Sequence, residues 1–369
     1  MGRLATHFVI FDYIIVGAGS AGSVLANKLS ESGRDSVLLL EAGPSDRRMY
    51  VQMPLGYGKV YYDKNVNWKY QTEPVPALNN RPSYWPRGKV LGGSSSINAM
   101  VYVRGHPNDY QEWSENASGW NWSDVEPVFR RMEDWSEGAN DYRGAGGPLS
   151  VQDISDDAHP LCQSYIDAAM QCQIPFNADY NAQSMNGASL YQITTKNGLR
   201  ASSAASYLHP AKPRPNLKIE TAAHATKIEF ETKTATGVLY EQGGQLHSVK
   251  ARREIIICGG AINSPQLLQL SGIGPAPLLQ EHGISVVHEN AEVGRNLQDH
   301  LGADLVCRTN VDTLNQQLRP LLGKLKVGLE FLFKRTGPLT LSLNQAGGFL
   351  STNKASATPD LQLYFSPVS

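Results

Sequence analysis

The stretch that decides the fold is FDYIIVGAGSAGSVLANKLSESGRDSVLLLE, residues 11–41. Its first six residues, FDYIIV, are apolar and β-branched and read as a buried strand. Gly17, Gly19 and Gly22 follow as G-x-G-x-x-G and open a helical segment through about Ser32. A second apolar run, SVLLLE, ends in Glu41, 19 residues after Gly22. That spacing fits a strand–helix–strand unit that binds a dinucleotide. Gly17 allows the tight turn, Gly19 lets a pyrophosphate approach the backbone, and Gly22 lets helix and strand pack closely. Free N–H groups at the helix start then face the phosphates. Glu41 can accept hydrogen bonds from a ribose diol and would repel a 2′-phosphate, which makes NADP the least favoured dinucleotide. The stretch does not separate FAD from NAD, and a glycine-rich turn without ligand is its plain alternative.

Upstream, Met1-Gly2…Thr6 spells an N-myristoylation pattern, short enough to arise by chance. There is no signal-peptide cleavage pattern and no apolar run near the ~20 residues of a membrane span. Downstream, residues 46–110 are rich in Tyr, Pro, Gly and Trp until a second glycine cluster, RGKVLGGSSSINAMVYVRG, Arg87–Gly105. Gly92, Gly93 and three serines make a backbone-exposing loop suited to a polar ligand, half buried by Val90, Leu91 and Ile97. Trp113, Trp120, Trp122 and Trp135 cluster next, and Ser123-Asp-Val-Glu126 resembles a capping box whose helix carries Val128, Phe129 and Met132 inward. Core or interface packing of these rings is favoured over an aromatic cage for a quaternary ammonium.

NLKIETAAHATKIEFE (216–231) and REIIIC (253–258) are strand-like. REIIIC runs into Gly259-Gly260 and AINSPQLLQLSGIG, a helix closed by glycines. A second strand–glycine–helix unit suits a long flavin dinucleotide better than a single NAD module. LLGKLKVGLEFLFKR (321–335) reads as a domain helix rather than a membrane-surface one, and DLQLYF (360–365) alternates as a strand should.

A length of 369 residues suggests two domains, and 41% hydrophobic with 18% charged residues excludes disorder and coiled coil. With 33 basic against 34 acidic residues, a nucleic-acid partner is disfavoured. Cys162, Cys172, Cys258 and Cys307 show no C-x-x-C or metal-ligand spacing, so we expect no metal, no disulfide framework and a reducing compartment. The location expected is cytoplasmic, with peripheral attachment at the inner face of the membrane left open. P-loop, H-E-x-x-H and G-x-S-x-G patterns are absent from the sequence.

Together these segments resemble the glucose–methanol–choline (GMC) family of FAD-dependent oxidoreductases from about Asp12 onward. Gly88-Lys-Val-Leu-Gly-Gly-Ser-Ser-Ser-Ile-Asn98 is similar to the family's first signature, and Gly260-Ala-Ile-Asn-Ser-Pro-Gln-Leu-Leu-Gln-Leu-Ser-Gly-Ile-Gly274 to its second. Val293-Gly-Arg-Asn-Leu-Gln-Asp-His300 also looks like the family, and the spelling is nearest to bacterial choline- and alcohol-dehydrogenase-like members. The resemblance implies an α/β plus α+β fold: a Rossmann-like FAD-binding domain around a parallel sheet, and a substrate domain with an antiparallel sheet, here incomplete. The FAD-binding region is expected over 9–305, discontinuous, with insertions around 46–86 and 106–200 partly on the substrate side. Residues 306–369 would begin the substrate domain, the family's C-terminal catalytic segment lying outside the chain.

By the same resemblance Gly17, Gly19, Ser20, Gly22, Glu41 and Ala42 hold the ADP half of FAD. Val90, Gly92, Gly93, Ser94, Asn98, Ala99, Met100 and Val101 lie along the flavin side, and Ala225 contacts adenine through its backbone. Choline oxidases of the family carry a flavin-linked histidine in the glycine–serine loop; Ile97 stands there, so the flavin is expected to be non-covalent. The family takes the hydroxyl proton with a histidine in a His-Pro-x-Gly-Thr-like segment. Of the histidines at 7, 106, 159, 209, 224, 247, 282, 288 and 300, three precede proline (106, 159 and 209) and none continues that way. No catalytic residue is therefore assigned; His300 reads as a structural histidine rather than a base. The implied activity is oxidation of a primary alcohol, choline among the candidates, to the aldehyde by hydride transfer to flavin N5. The electron acceptor would be a quinone, a dye-like carrier or oxygen, and the 369 residues alone should be inactive. The alternatives are a non-catalytic FAD-binding protein and an NAD-dependent dehydrogenase.

Overall fold

The computed structural model describes residues 9–353, 356 and 358–368. The Met1-Gly2…Thr6 pattern and His7 lie outside them. The chain divides into two compact units: Met1–Arg48, Lys59–Ile97 and Ser203–Ala303 form the first, Met49–Gly58, Asn98–Ser202 and Asp304–Ser369 the second.

The first unit is built on one six-stranded sheet. Its elements are β1 (Val9–Val16), α1 (Ser20–Ser30), β2 (Val37–Leu40), β3 (Leu217–Glu220), β4 (His224–Glu231), β5 (Thr234–Gln242), β6 (Gln245–Ile257) and α2 (Gly260–Leu270). The strand order is β3-β2-β1-β6-β5-β4. β3, β2, β1 and β6 run parallel, whereas β5 and β4 are antiparallel additions, so the expected parallel sheet is extended by a meander. β6 joins the two parts: Gln245–Lys250 pairs with β5 and Val249–Ile257 with β1. The run 216–231 is two strands rather than one, broken where Ala222 takes a φ of 52°.

Continuous apolar strands follow from burial on both faces. Ile15, Val37 and Leu39 pack with Ala26 of α1, while Ile14, Leu38 and Leu40 pack with Leu267 of α2 and with Ile228 and Val238. Each such aliphatic side chain contributes about 1.5–3 kcal/mol on full burial. The buried face of α1 is small: Gly22, Ser23, Ala26, Asn27 and Ser30. A helix with so low a profile settles close to the sheet, and that fixes where its N-terminus points.

The second unit holds a three-stranded antiparallel sheet in which Ala346–Leu350 lies between Gly187–Leu190 and Leu361–Phe365. Its core contains a buried ion network. Glu133 Oε1 accepts from Arg104 at 2.8 Å and from Arg143 at 2.9 Å, and Arg143 reaches the Asp179 carboxylate at 2.9 Å. Arg143 also lies 4.0 Å over the ring of the buried Trp135. The helix Trp122–Met132 starts two residues earlier than the Ser123 capping box implied. Asn121 is the cap, its side chain accepting from the Asp124 N–H. Val128 is exposed, not inward, while Phe129 and Met132 are half-buried. Tyr110, Trp113, Trp122 and Phe129 meet one another edge-on or tilted at 5.5–6.3 Å, which is packing of ring on ring. Among the described residues no helix is long and apolar enough to cross a membrane.

Candidate functional site: a dinucleotide cleft

The turn after β1 carries the site. Gly17 has a φ of +100°, a conformation that glycine adopts without strain, and its N–H donates to the Leu40 carbonyl at 2.8 Å. A Cβ on Gly22 would collide with the Gly17 carbonyl, so the absent side chain lets α1 close against the turn. Gly93 faces the turn from the second glycine cluster: its φ is +55°, and a Cβ there would lie 2.7 Å from the Gly19 Cα. The Gly92 N–H donates to the Ala18 carbonyl at 2.8 Å and ties the two glycine loops together.

Gly19 differs from these. Its φ of −71° suits any residue, and a Cβ there would have no neighbour nearer than 4.0 Å. Nothing in the chain's own packing fills that space. It opens on a cleft of about 580 Å³, within the size range of cofactor sites. No side chain caps α1 or α2, and the first residues of both helices line the cleft. Two uncapped helix N-termini present N–H groups and positive dipole ends, which suits a bridging pyrophosphate.

Glu41 lies at the end of β2 with 5% of its surface exposed. Its Oε2 accepts the Ala18 N–H at 2.9 Å and its Oε1 the Gly43 N–H at 2.8 Å. Burial pushes its carboxyl up to about 7 against the opposing pull of those two donors and of Lys89. The side chain is thus a brace between two turns as well as a wall of the cleft. Each carboxylate oxygen keeps a second lone pair, so acceptance from a ribose diol remains open to it.

Gly17, Gly19, Ser20, Glu41 and Ala42 line the cleft, as do Gly93, Ser94 and Ala225. Gly22, Val90 and Gly92 support it from behind, Val90 being wholly buried. Asn98, Ala99, Met100 and Val101 belong to the second unit and form a braced turn there. Arg200, almost fully buried, donates to the Asn98 carbonyl at 2.7 Å and to its Oδ1 at 2.8 Å, and that Oδ1 also accepts the Met100 N–H. Ser342 holds the Ala99 carbonyl at 2.6 Å, and Met100 takes a φ of 63°. A buried non-glycine residue in that conformation persists only where its surroundings impose it.

The sequence reading missed one wall of the cleft. Trp68 and Tyr70 stack at 5.9 Å, His224 lies 5.5 Å from Trp68, and the Tyr70 hydroxyl bonds to the Asn263 side chain at the start of α2. Burial, then Lys89, holds the His224 imidazole below its ordinary value, favouring the neutral ring. Only aromatic enrichment in 46–110 hinted at this wall. His300 is exposed, its backbone N–H donating to the Asp299 carboxylate. Among the described residues no group of three His, Cys, Asp or Glu could hold a metal ion.

Known proteins resemble this chain in sequence and fold. The sequence profile of GMC oxidoreductases matches residues 11–302. The chain is 46% identical over 364 residues to an alcohol dehydrogenase [acceptor] of Pseudomonas putida, covering 97% of this chain and 66% of that protein. It is 44% identical over 360 residues to an oxygen-dependent choline dehydrogenase of Brucella anthropi, covering 97% and 65%. The crystal structure of pyridoxine 4-oxidase from Mesorbium loti superposes with a TM-score of 0.85 at 29% identity, covering 97% of this chain and 67% of that one. The chain therefore spans about two thirds of the length of the curated relatives that it matches. The glycine turns, the brace at Glu41 and the matched profile have one conclusion: the chain belongs to the GMC oxidoreductase family.

Proposed function

We propose that the cleft of the first unit binds the ADP half of FAD, non-covalently, and that the chain contributes to oxidation of a primary alcohol, choline among the candidates, to its aldehyde. The observation that carries this reading is the space over Gly19, which the chain leaves open between two uncapped helix starts. Bound FAD would supply a hydride acceptor that no side chain provides. The chain's own residues do the rest of the binding. N–H groups of the first turn of α1 would meet the phosphates, Glu41 would accept from ribose hydroxyls, and Trp68 with Tyr70 would shield one side. In the second unit, Arg200 and Ser342 would keep the Asn98–Val101 turn in its strained form for the flavin ring. Ile97, 4% exposed and without a nucleophilic atom, replaces the histidine that covalent members use. An NAD module would leave 88–105 and 260–274 unexplained, whereas the family profile spans both.

The test is FAD titration of the purified chain with its Gly19→Ala variant. Wild type should bind FAD and take on visible flavin absorption. The variant should melt within about 2 °C of wild type, because its Cβ meets no neighbour, yet bind FAD at least about tenfold more weakly. A chain that binds NAD and no FAD, or a variant with unchanged FAD affinity, would overturn the reading. Addition of a primary alcohol and a redox dye to the FAD-bound chain should give no turnover, because none of its histidines stands in a His-Pro-x-Gly-Thr segment.

A further inference from the structure

Three serines of the first unit meet behind its two glycine loops. Ser23 of α1 and Ser203 are buried, and Ser95 is half-buried. The Ser23 hydroxyl donates to the Ala18 carbonyl at 3.0 Å, the same oxygen that accepts the Gly92 N–H. The Ser95 hydroxyl donates to the Gly92 carbonyl at 2.6 Å. Ser203 meets Ser95 twice: its N–H donates to Ser95 Oγ at 3.0 Å, and the two hydroxyls lie 2.9 Å apart. Because the Ser95 proton is committed to Gly92, Ser203 is the donor within that hydroxyl pair. Ser203 Oγ also lies 3.2 Å from the Gly92 carbonyl and 3.4 Å from Ser23 Oγ. The helical segment Ala204–Leu208 begins directly after Ser203, yet the serine hydroxyl does not cap it. Asn27 of α1 fastens that segment, its Nδ2 donating to the Tyr207 carbonyl at 2.8 Å.

These bonds converge on the peptide between Gly92 and Gly93. Its carbonyl faces Ser95 and Ser203, and its N–H donates to the Val90 carbonyl at 2.8 Å. Both glycines are left-handed, with φ of +87° and +55°. A peptide between two glycines rotates at little steric cost unless its polar groups are held. We propose that Ser203 is a positioning residue for the dinucleotide: it holds this peptide in the orientation that keeps Gly93 against Gly19, so the cleft is formed before the ligand arrives. The inference rests on the cofactor reading and concerns a side chain that does not itself line the cleft. Without the Ser203 hydroxyl, a smaller fraction of chains holds the second loop in place, and apparent affinity falls by that fraction. The loss falls on the rate of capture, because every complex that forms contains the ordered loop.

Stopped-flow mixing of the purified chain with FAD, followed by flavin fluorescence, gives the rates of capture and release. Ser203→Ala should bind FAD about tenfold more weakly, through slower capture and unchanged release. Ser95→Ala opens the same junction from its other side. It should weaken binding about as much, and the double variant should be no weaker than either single one, since the two residues act through one contact. Ser30→Ala is the control. It deletes a buried hydroxyl at the far end of α1, bonded to the Ala26 carbonyl at 2.6 Å. It should lower the melting temperature yet keep FAD affinity within about twofold of wild type. No FAD binding by wild type would overturn the cofactor reading and this inference with it. Four results would overturn the inference alone, with wild type still binding FAD. They are unchanged affinity in Ser203→Ala, a loss no larger than that of Ser30→Ala, faster release in place of slower capture, and losses that multiply in the double variant.

Discussion

Glu41→Gln should remove a decline in folding stability that the wild-type apoprotein undergoes between about pH 5 and about pH 8. Burial raises the folded-state value of Glu41 from 4.5 to about 7, although two backbone N–H groups favour its charged form. Between those values the folded protein holds a proton that the unfolded chain has released. The contribution of Glu41 to stability is therefore greatest below 4.5 and falls until the folded carboxyl ionises near 7. From these two values the decline between about pH 5 and about pH 8 is about 2.5 kcal/mol. Glutamine has no proton to lose, so this part of the slope disappears. It also puts an amide donor opposite either the Ala18 or the Gly43 N–H, which costs about 1–3 kcal/mol at every pH. The variant should thus be clearly the weaker protein near pH 5, and the gap should close by about 2.5 kcal/mol towards pH 8. Urea unfolding of both apoproteins at the two pH values measures this, and taking the difference cancels every titrating group that they share. A gap that stays constant across the range would refute the assignment of a raised, buried carboxyl to Glu41. Were Glu41 exposed and ordinary, it would be ionised in both states at both pH values and no gap could move.

Two further outcomes are expected. Glu133→Ala leaves the Arg104 guanidinium without its carboxylate and Arg143 with Asp179 as its one remaining carboxylate, so urea unfolding should show a loss of about 3–5 kcal/mol, with a smaller loss for Glu133→Gln. Acid precipitation of the FAD-loaded chain should leave all the flavin in the supernatant, since Ile97 offers no atom for a flavin bond; flavin retained in the pellet would contradict non-covalent binding.

What could be read from the sequence was what is local in it. Gly17, Gly22 and the run VLLL report a turn, a helix seat and a doubly buried strand within thirty residues of one another, and each has a shape of its own that the backbone must satisfy. The meander escaped because only the last residues of β6 are an apolar run, while its polar first half, QLHSVK, pairs with β5 in a register that spelling does not report. The helix at Trp122 was misplaced by two residues because Asn121 and Ser123 are both good caps, and spelling does not rank them. Least legible was the ion network. Arg104, Glu133, Arg143 and Asp179 are separated by 29, 10 and 36 residues, and each alone resembles a solvated surface charge. Charges buried at such spacing are specified by the whole of the second unit, because only a completed core can bring the partners that make their burial tolerable. Glu41 belongs to both classes. Its distance from the glycines announced an acceptor, yet its bonds to Ala18 and Gly43 show that the acceptor is first a brace. In the proposed complex one side chain would both brace the turn at the phosphates and accept from the ribose, which would couple the order of the turn to occupancy of the cleft. Loss of FAD should then loosen the very loop that would receive it.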